Sequence, residues 1–395
     1  MSNLNSQGKD FLLSLETQGI KLGLQRTKDL LSVCGNPEEY LNSVQIIGTN
    51  GKGSTAASLS SILIASGLKV GMYTSPHLVD LSERIRINNN KIDNHYINYF
   101  INLFFKEIKE LHCTFFETLT VMAAYFFKEN KVDVAIFETG LGGRFDSTTA
   151  CKAKLQLFTK ISMDHSDILG NTITEIATDK SEAIHNNAQC LSVTQQEVVK
   201  NILINKAKGR AANINFNLDI YDDKFEPSLL GKHQQENIML AVKAAQHITS
   251  PTDQDIKNGI KQTSWPGRIE LLSKNPNIFF DVSHNDDSII AFCKAMESFD
   301  HGGINFLIIS IQRTKQINKA IVKLKGIFSK IIITQINDRM YSSKDLSSMF
   351  APHRSIEIID NPDDAIKKTM PKLKKSDILG IIGSHYWGEY IYQNF

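Results

Sequence analysis

Short runs of β-branched and aliphatic residues alternate with stretches of helical length along this chain, and the alternation occurs twice. From Val44 the order is VQIIG, then Ala56, Leu59, Ile62 and Leu63 at helical spacing, then KVGMYT. VDVAIFET (132–139) and KLQLFTKI (154–161) continue it, with a helical stripe of Phe116, Leu119, Met122, Ala123 and Phe126 before them. Near-continuous apolar runs are strands covered on both faces, and strand–helix–strand order implies a parallel sheet with helices on its faces. The rhythm restarts after Trp265 with NIFFDVS, INFLIIS, KIIITQI, SIEIID and DILGIIG. Because 395 residues exceed the roughly 250–300 that one core sustains, we expect two α/β domains, 1–267 and a smaller 268–395. The break is placed at Trp265-Pro266-Gly267, where Pro and Gly interrupt helical continuation.

Bulk composition removes several function classes. Hydrophobic residues are 42% and charged residues 22%, as in a packed globular protein rather than a disordered or fibrous one. Forty-four Lys+Arg against 42 Asp+Glu leave a charge of +2, too little for a general nucleic-acid or membrane-surface binder. The five cysteines are scattered and never form a CxxC pair, so they read as reduced core thiols rather than a disulfide or zinc framework. The opening MSNLNSQGKDF lacks a cationic segment followed by an apolar run, and no stretch reaches the ~20 apolar residues of a membrane span. We therefore expect a cytoplasmic protein.

The strongest local signal is GTNGKGST (48–55), directly after a strand and opening a helix. Glycines there let backbone N–H groups face phosphate oxygens, the helix N-terminus adds its positive end, and Lys52 supplies a cation. Gly53 separates Lys52 from Ser54, so this is a variant of the usual phosphate loop. Ser75, Glu138 and His165 sit at expected strand ends, where ligands bind in an open parallel sheet. A hydroxyl, a carboxylate and an imidazole beside a triphosphate could hold Mg²⁺, although His is an unusual ligand for that ion. The loop GLGGRFD (140–146) could read a polar heterocycle or an anion, or be a tight strand exit with a surface Arg144–Asp146 pair. Lys180, in TEIATDKSEAIH, reads as a solvated helix lysine. LLGKHQQENIMLAVKAA (229–245) reads as a helix with polar His233, Gln234 and Asn237 near its start. Arg268 in WPGRIE would suit a nucleotide phosphate and Asp281 in FFDVSHND a ribose hydroxyl, with His284 in the same loop.

Together, GTNGKGST, TSPHLVDLSERIRINN, FFETLT, ETGLGGRFDSTT, SMDHSDILG, LLGKHQQEN, WPGRIE and DVSHN, in that order, resemble the folylpolyglutamate synthase/dihydrofolate synthase family of the Mur ligase superfamily. The resemblance implies an N-terminal phosphate-loop parallel-sheet domain, a smaller Rossmann-like C-terminal α/β domain, and ATP-dependent joining of L-glutamate to dihydropteroate and to folates through an acyl phosphate. A related Mur-type ligase acting on another acid and amino acid is the alternative. It further implies that Asn50, Gly51, Lys52, Gly53 and Ser54 wrap the triphosphate, that Ser75, Glu138 and His165 bind Mg²⁺, and that Asn237, Arg268, Asp281 and His284 hold ATP. Lys52, Glu138, His165 and Lys180 would be catalytic, and Lys180 resembles the family's carbamylated lysine. Phe116, Glu117, Thr118, Gly143, Arg144 and Asp146 would line the pterin site. A two-domain ligase of this kind can work as a monomer. The chain departs from the family at Ser181-Glu182, where a carboxylate beside Lys180 would disfavour an anionic carbamate, at Val282, Ser283 and Asp286, and at Thr149.

Overall fold

The computed structural model describes residues 7–19, 21–218, 225–299, 302–352 and 355–395. The opening MSNLNS, where a leader was not expected, lies outside the described residues. Two compact units emerge: one comprises Met1–Ile161, Thr172–Glu226 and Glu236–Thr263, the other Ser162–Asn171, Pro227–Gln235 and Ser264–Phe395.

The first unit is built on strands β1 (Ser43–Ile47), β2 (Val70–Tyr73), β3 (Ile85–Ile87), β4 (Asn90–Lys91), β5 (Val134–Glu138), β6 (Leu155–Phe158), β7 (Gln189–Ser192) and β8 (Asn213–Asn215) in the order β4-β3-β2-β5-β1-β6-β7-β8. Pairing is parallel from β2 through β8, and β3 and β4 add an antiparallel edge. All residues of β1, β2, β5 and β6 are buried, as continuous apolar runs require. The chain leaves β1 toward β2 on one side and later returns to place β6 on the other. The order therefore reverses around β1, which opens a crevice at the carboxyl ends of these strands.

Two glutamines interrupt the apolar runs and are satisfied by bonding to each other. Gln156 of β6 donates to Gln45 Oε1 of β1 at 2.8 Å, and Gln45 donates to Thr149 Oγ1 at 2.8 Å. Left unpaired, each would cost about 1–3 kcal/mol in this core.

The second unit carries β9 (Glu270–Ser273), β10 (Asn277–Asp281), β11 (Asn305–Ile309), β12 (Lys330–Ile333), β13 (Ile356–Ile358) and β14 (Ile378–Ile382), ordered β13-β12-β11-β14-β10-β9. All neighbours are parallel except β9, which pairs antiparallel to β10. β9 is an addition to the five strands read from sequence, its ELLS segment being only partly covered. The helix expected over 229–245 begins later, at His233, and runs to Ile248, because Gly231 takes the left-handed φ of 99° just upstream. Among the described residues, no helix is long and apolar enough to cross a membrane.

Candidate active site

β1 delivers the chain to the crevice, and the glycine loop begins where β1 ends. Gly51 caps the helix Lys52–Ala65 with a left-handed φ of 90°, and a Cβ there would overlap the Asn237 side chain. Torsion and space thus both demand glycine. The N–H groups of Thr49 and Asn50 donate to the Lys160 carbonyl at 2.9 and 3.2 Å, tying the loop to the exit of β6. Lys52 Nζ donates to the carbonyls of Gly48 at 3.3 Å and Thr49 at 3.1 Å. Gly53 and Ser54 are buried in the first helical turn, whose N–H groups have no partner within any helix. Thr55 Oγ1 in the same turn is buried without a hydrogen-bond partner among the described residues. Ser58 and Ser60 further along the same helix carry hydroxyls buried in the same way.

Glu138 closes β5, with its side chain buried and Oε2 accepting the Ser75 backbone N–H at 3.1 Å. β5 lies between β1 and β2, with Ile46 opposite Glu138 and Tyr73 opposite Phe137. The register therefore brings Ser75, Glu138 and the start of the glycine loop to one carboxyl edge. The Ser75 hydroxyl and the Glu138 carboxylate are hard oxygen donors of the kind Mg²⁺ takes beside phosphates, so their chemistry fits that ion. Among the described residues, no three His, Cys, Asp or Glu side chains gather in metal-ligating geometry.

Lys180 corrects a reading from sequence. It is not a solvated helix lysine; it is 5% exposed, and its Nζ donates to the Gly48 carbonyl at 2.9 Å, linking the helix Ile173–Ser181 to the phosphate loop. The neighbouring Glu182 carboxylate pairs with Lys206 at 2.5 Å and with Arg210 at 3.5 Å, and the Lys206 hydrogen bond holds it below the usual carboxylate range. The charge expected to oppose a carbamate is thus already matched.

The residues expected around a pterin differ in what holds them. Phe116 lies 5.7 Å from the Tyr73 ring, and a Cβ on Gly140 would meet its ring, so glycine lets the loop 140–146 approach. Glu117 is engaged in support. It accepts the Thr114 N–H at 2.7 Å in a capping box for the helix Phe115–Glu129 and pairs with Arg26 at 2.8 Å. Thr118 Oγ1 donates to the Thr114 carbonyl at 2.9 Å.

Asp146 does not form the surface pair with Arg144 that was one reading of this loop. It is buried, and its Oδ2 accepts the N–H groups of Gly140 and Leu141 at 2.9 and 2.8 Å. Burial raises its pKa despite these bonds. Arg144 instead lies over the Phe145 ring at 4.9 Å. Gly143 is fixed by its N–H donating to Asp179 at 2.9 Å and its carbonyl accepting from Thr149 at 2.8 Å.

His165, Arg268, Asp281 and His284 belong to the second unit, so the three residues expected to share a metal fall two in one unit and one in the other. Asp281 accepts the N–H groups of Ile269 at 2.8 Å and Ser283 at 2.7 Å. Ile269, a β-branched residue, holds a left-handed φ of 49° beside Arg268, a conformation costing about 1–3 kcal/mol that the Asp281 bond helps maintain. His165 also takes a left-handed φ, 50°, as the cap of Ser166–Leu169.

Sequence reasoning missed the anchor of this cluster. Asp164 receives Lys315 Nζ at 2.6 Å and Asn285 Nδ2 at 3.1 Å, lies 3.6 Å from His284 Nε2, and is 8% exposed. Lys315 Nζ is also 3.2 Å from His165 Nε2. Burial alone would raise the Asp164 carboxyl, but bonding to His284 and the charges of His284, Lys315 and His165 outweigh it and hold it far below the usual range. Its place beside His165 was a usable hint; nothing near Lys315 in the sequence pointed to it.

Residues 267–385 match the family described as Mur ligase, glutamate ligase domain. The chain is 31% identical over 406 residues to the dihydrofolate synthase/folylpolyglutamate synthase of Bacillus subtilis, covering 93% of this chain and 94% of that one. Among solved structures, Escherichia coli FolC in complex with DHPP and ADP aligns with a TM-score of 0.85 at 24% identity, covering 98% of this chain and 97% of that one. The bifunctional folylpolyglutamate synthase/dihydrofolate synthase of Yersinia pestis, complexed with AMPPNP and a Mn ion, aligns at 0.88 and 23%, with coverages of 98% and 97%. At those identities the two structures speak to fold. The agreement with the Bacillus protein along almost the whole of both chains places this chain in the folylpolyglutamate synthase/dihydrofolate synthase family of ATP-dependent ligases.

Proposed function

We propose that this chain joins L-glutamate to dihydropteroate, and also to folates, at the carboxyl edge of its first sheet. The observation that carries the reading is the junction of Glu138 and Ser75, 3.1 Å apart, at the strand ends flanking the Gly51–Lys52 loop. The relatives support it: the Escherichia coli protein was solved with DHPP and ADP, and the Yersinia protein with a nucleotide analogue and a divalent metal.

Amide formation at neutral pH requires the acid's hydroxyl oxygen to become a good leaving group, and phosphoryl transfer from ATP provides this. In our reading the first-turn N–H groups at Gly53 and Ser54 cradle the triphosphate. Lys52, whose ammonium otherwise rests on its own loop's carbonyls, turns outward to the transferring phosphoryl oxygens. Ser75 and Glu138 would hold Mg²⁺, which would supply charge neutralisation on phosphate oxygens. Lys180 fixes the Gly48 carbonyl and with it the height of the loop. Phe116 and the loop 140–146 orient the pterin acid, and orientation of the reacting groups can account for roughly 7–11 kcal/mol of barrier reduction. The glutamate amine then displaces phosphate from the acyl phosphate. Within the second unit, Asp281 would act chiefly by holding the Ile269 turn beside Arg268. We further propose that the enzyme is a cytoplasmic monomer. Its five buried free cysteines support the compartment, burial raising every thiol, that of Cys34 to about 12.

The test is product mass spectrometry with dihydropteroate and tetrahydrofolate offered separately, each with ATP and L-glutamate. A mass gain of one glutamyl unit on both acids is expected. Gain on dihydropteroate alone restricts the enzyme to dihydrofolate synthesis, and gain on neither overturns the reading.

A further inference from the structure

Arg84 is the one arginine buried among the described residues, at 8% exposure. A buried guanidinium is ordinarily paired with a carboxylate, because an uncompensated charge is costly to desolvate. Arg84 has no such pair among the described residues. Its Nε donates to His77 Nδ1 at 2.8 Å and its guanidinium lies 5.1 Å from the centroid of the Phe115 ring, while its terminal N–H groups meet no acceptor among the described residues. Those groups are not sealed from solvent, so a ligand can reach them. Burial lowers the Arg84 pKa, with Tyr73, Glu16, Glu138 and Glu83 opposing, and the guanidinium keeps its charge.

Two of the carboxylates that act on this charge are committed elsewhere. Glu83 accepts the N–H groups of Leu78 at 2.9 Å and Asp80 at 3.2 Å, in the cap of the one-turn 3₁₀ helix Leu81–Arg84. Glu138 accepts the Ser75 N–H at 3.1 Å. The short helix delivers Arg84 to the edge where these groups meet. Ile85, the next residue, pairs with Tyr73 of β2, and the Arg84 carbonyl accepts the Thr74 N–H at 2.9 Å, one residue before Ser75. Phe115, under the guanidinium, begins the helix that carries Phe116, whose ring lies 5.7 Å from Tyr73. Arg84 therefore touches both the strand end that leads to Ser75 and the helix start that carries Phe116.

We propose that Arg84 binds the reacting carboxylate of the acid substrate and stays on one of its oxygens through both chemical steps. The identity of the acid rests on the ligase reading. A guanidinium presents its donors in a planar fork that matches a carboxylate. One carboxylate oxygen forms a bond to the γ-phosphorus of ATP as the bond from that phosphorus to the bridging oxygen breaks, and the electron pair leaves with ADP. The other oxygen remains on Arg84. When the glutamate amine adds to the acyl carbon, the carbonyl π pair moves onto this held oxygen. The pair returns as the bond from carbon to the phosphate oxygen breaks, and the amine's proton passes to solvent. Arg84 thus meets negative charge where it develops. His77 orients the fork by accepting from Nε, which leaves its own ring proton on Nε2.

The experiment is titration calorimetry of the full chain, saturated with ADP and Mg²⁺, with dihydropteroate and separately with its primary carboxamide, which keeps the shape and lacks the charge. The unaltered chain is compared with Arg84→Gln and Arg84→Lys, and retained ADP binding shows that each variant is folded. We expect the unaltered chain to bind the acid at least about tenfold more tightly than the carboxamide. In Arg84→Gln the acid Kd should rise at least about tenfold while the carboxamide Kd holds within about twofold, so the preference disappears. Arg84→Lys, which keeps the charge without the fork, should retain part of it. Equal affinity of the unaltered chain for the two ligands overturns the proposal without any variant. So does an Arg84→Gln loss shared equally by both ligands, as a purely structural arginine would give. A chain that shows the Arg84-dependent preference yet forms no amide product keeps the site and overturns the ligase reading. Amide formation with no such preference does the reverse.

Discussion

Gly51 concentrates the argument for the phosphate loop in one position. Its left-handed torsion and the Asn237 side chain beside it leave no room for a methyl group. Gly51→Ala should therefore lower nucleotide affinity by about tenfold or more, through strain of about 1–3 kcal/mol, as read by ADP calorimetry; affinity unchanged would show that the turn is not where the nucleotide binds. In the second unit, Asp164→Ala strips a buried ammonium of its carboxylate and should cost about 3–5 kcal/mol in urea unfolding, whereas a loss below about 1 kcal/mol would mean Lys315 finds another partner. His185 gives a pH signature. Burial lowers its pKa, and the nearby Arg210 and Lys152 add to the effect, so the folded state prefers the neutral ring. Stability from this group is complete above its unfolded pKa of about 6.5 and is lost as pH falls below that value toward the lowered folded pKa. The urea midpoint should drop between about pH 8 and about pH 5, and less so in His185→Gln. Residues also show what a sequence conceals. The places of Lys52 at a helix start and Glu138 at a strand end were legible because strand and loop adjoin in the chain. The Lys180 bond to Gly48 spans 132 residues and the Asp164–Lys315 pair 151, so nothing local could reveal either.

Within the first sheet, the strands buried on both faces were readable, and β4, β7 and β8 were not. β1, β2, β5 and β6 are wholly buried, so their sequences are apolar runs. β4 and β8 carry mostly polar residues at exposed or half-covered positions, and β7 begins on an exposed glutamine, so neither run length nor composition distinguishes them from loops. Helix starts follow similar logic. The FFETLT segment was read as substrate contact, yet its Glu117 closes the capping box with Thr114 and holds Arg26. Thr114→Ala should cost about 1 kcal/mol of thermal or urea stability, the usual worth of an N-cap. If Glu117 served substrate alone, Glu117→Gln would change acid KM and leave stability untouched; the capping box and the Arg26 pair predict a measurable loss of stability.

For the whole molecule, two sheets each present loops at their carboxyl ends, and each unit brings its own share of the candidate residues: Lys52, Ser75, Glu138, Lys180 and Asn237 in the first, His165, Arg268, Asp281 and His284 in the second. The rhythm of strands and helices made the two α/β sheets legible. The assignment of residues 162–171 to the second unit was not, because that segment directly follows β6 and its partners Lys315 and His284 lie over a hundred residues onward. The most direct test of the account is ADP release by the unaltered chain, Lys52→Ala and Glu138→Ala, each with dihydropteroate and L-glutamate present and then with either omitted. The account predicts turnover that needs both substrates and falls by about 10²–10³ or more in each folded variant; turnover undiminished in both variants would contradict it.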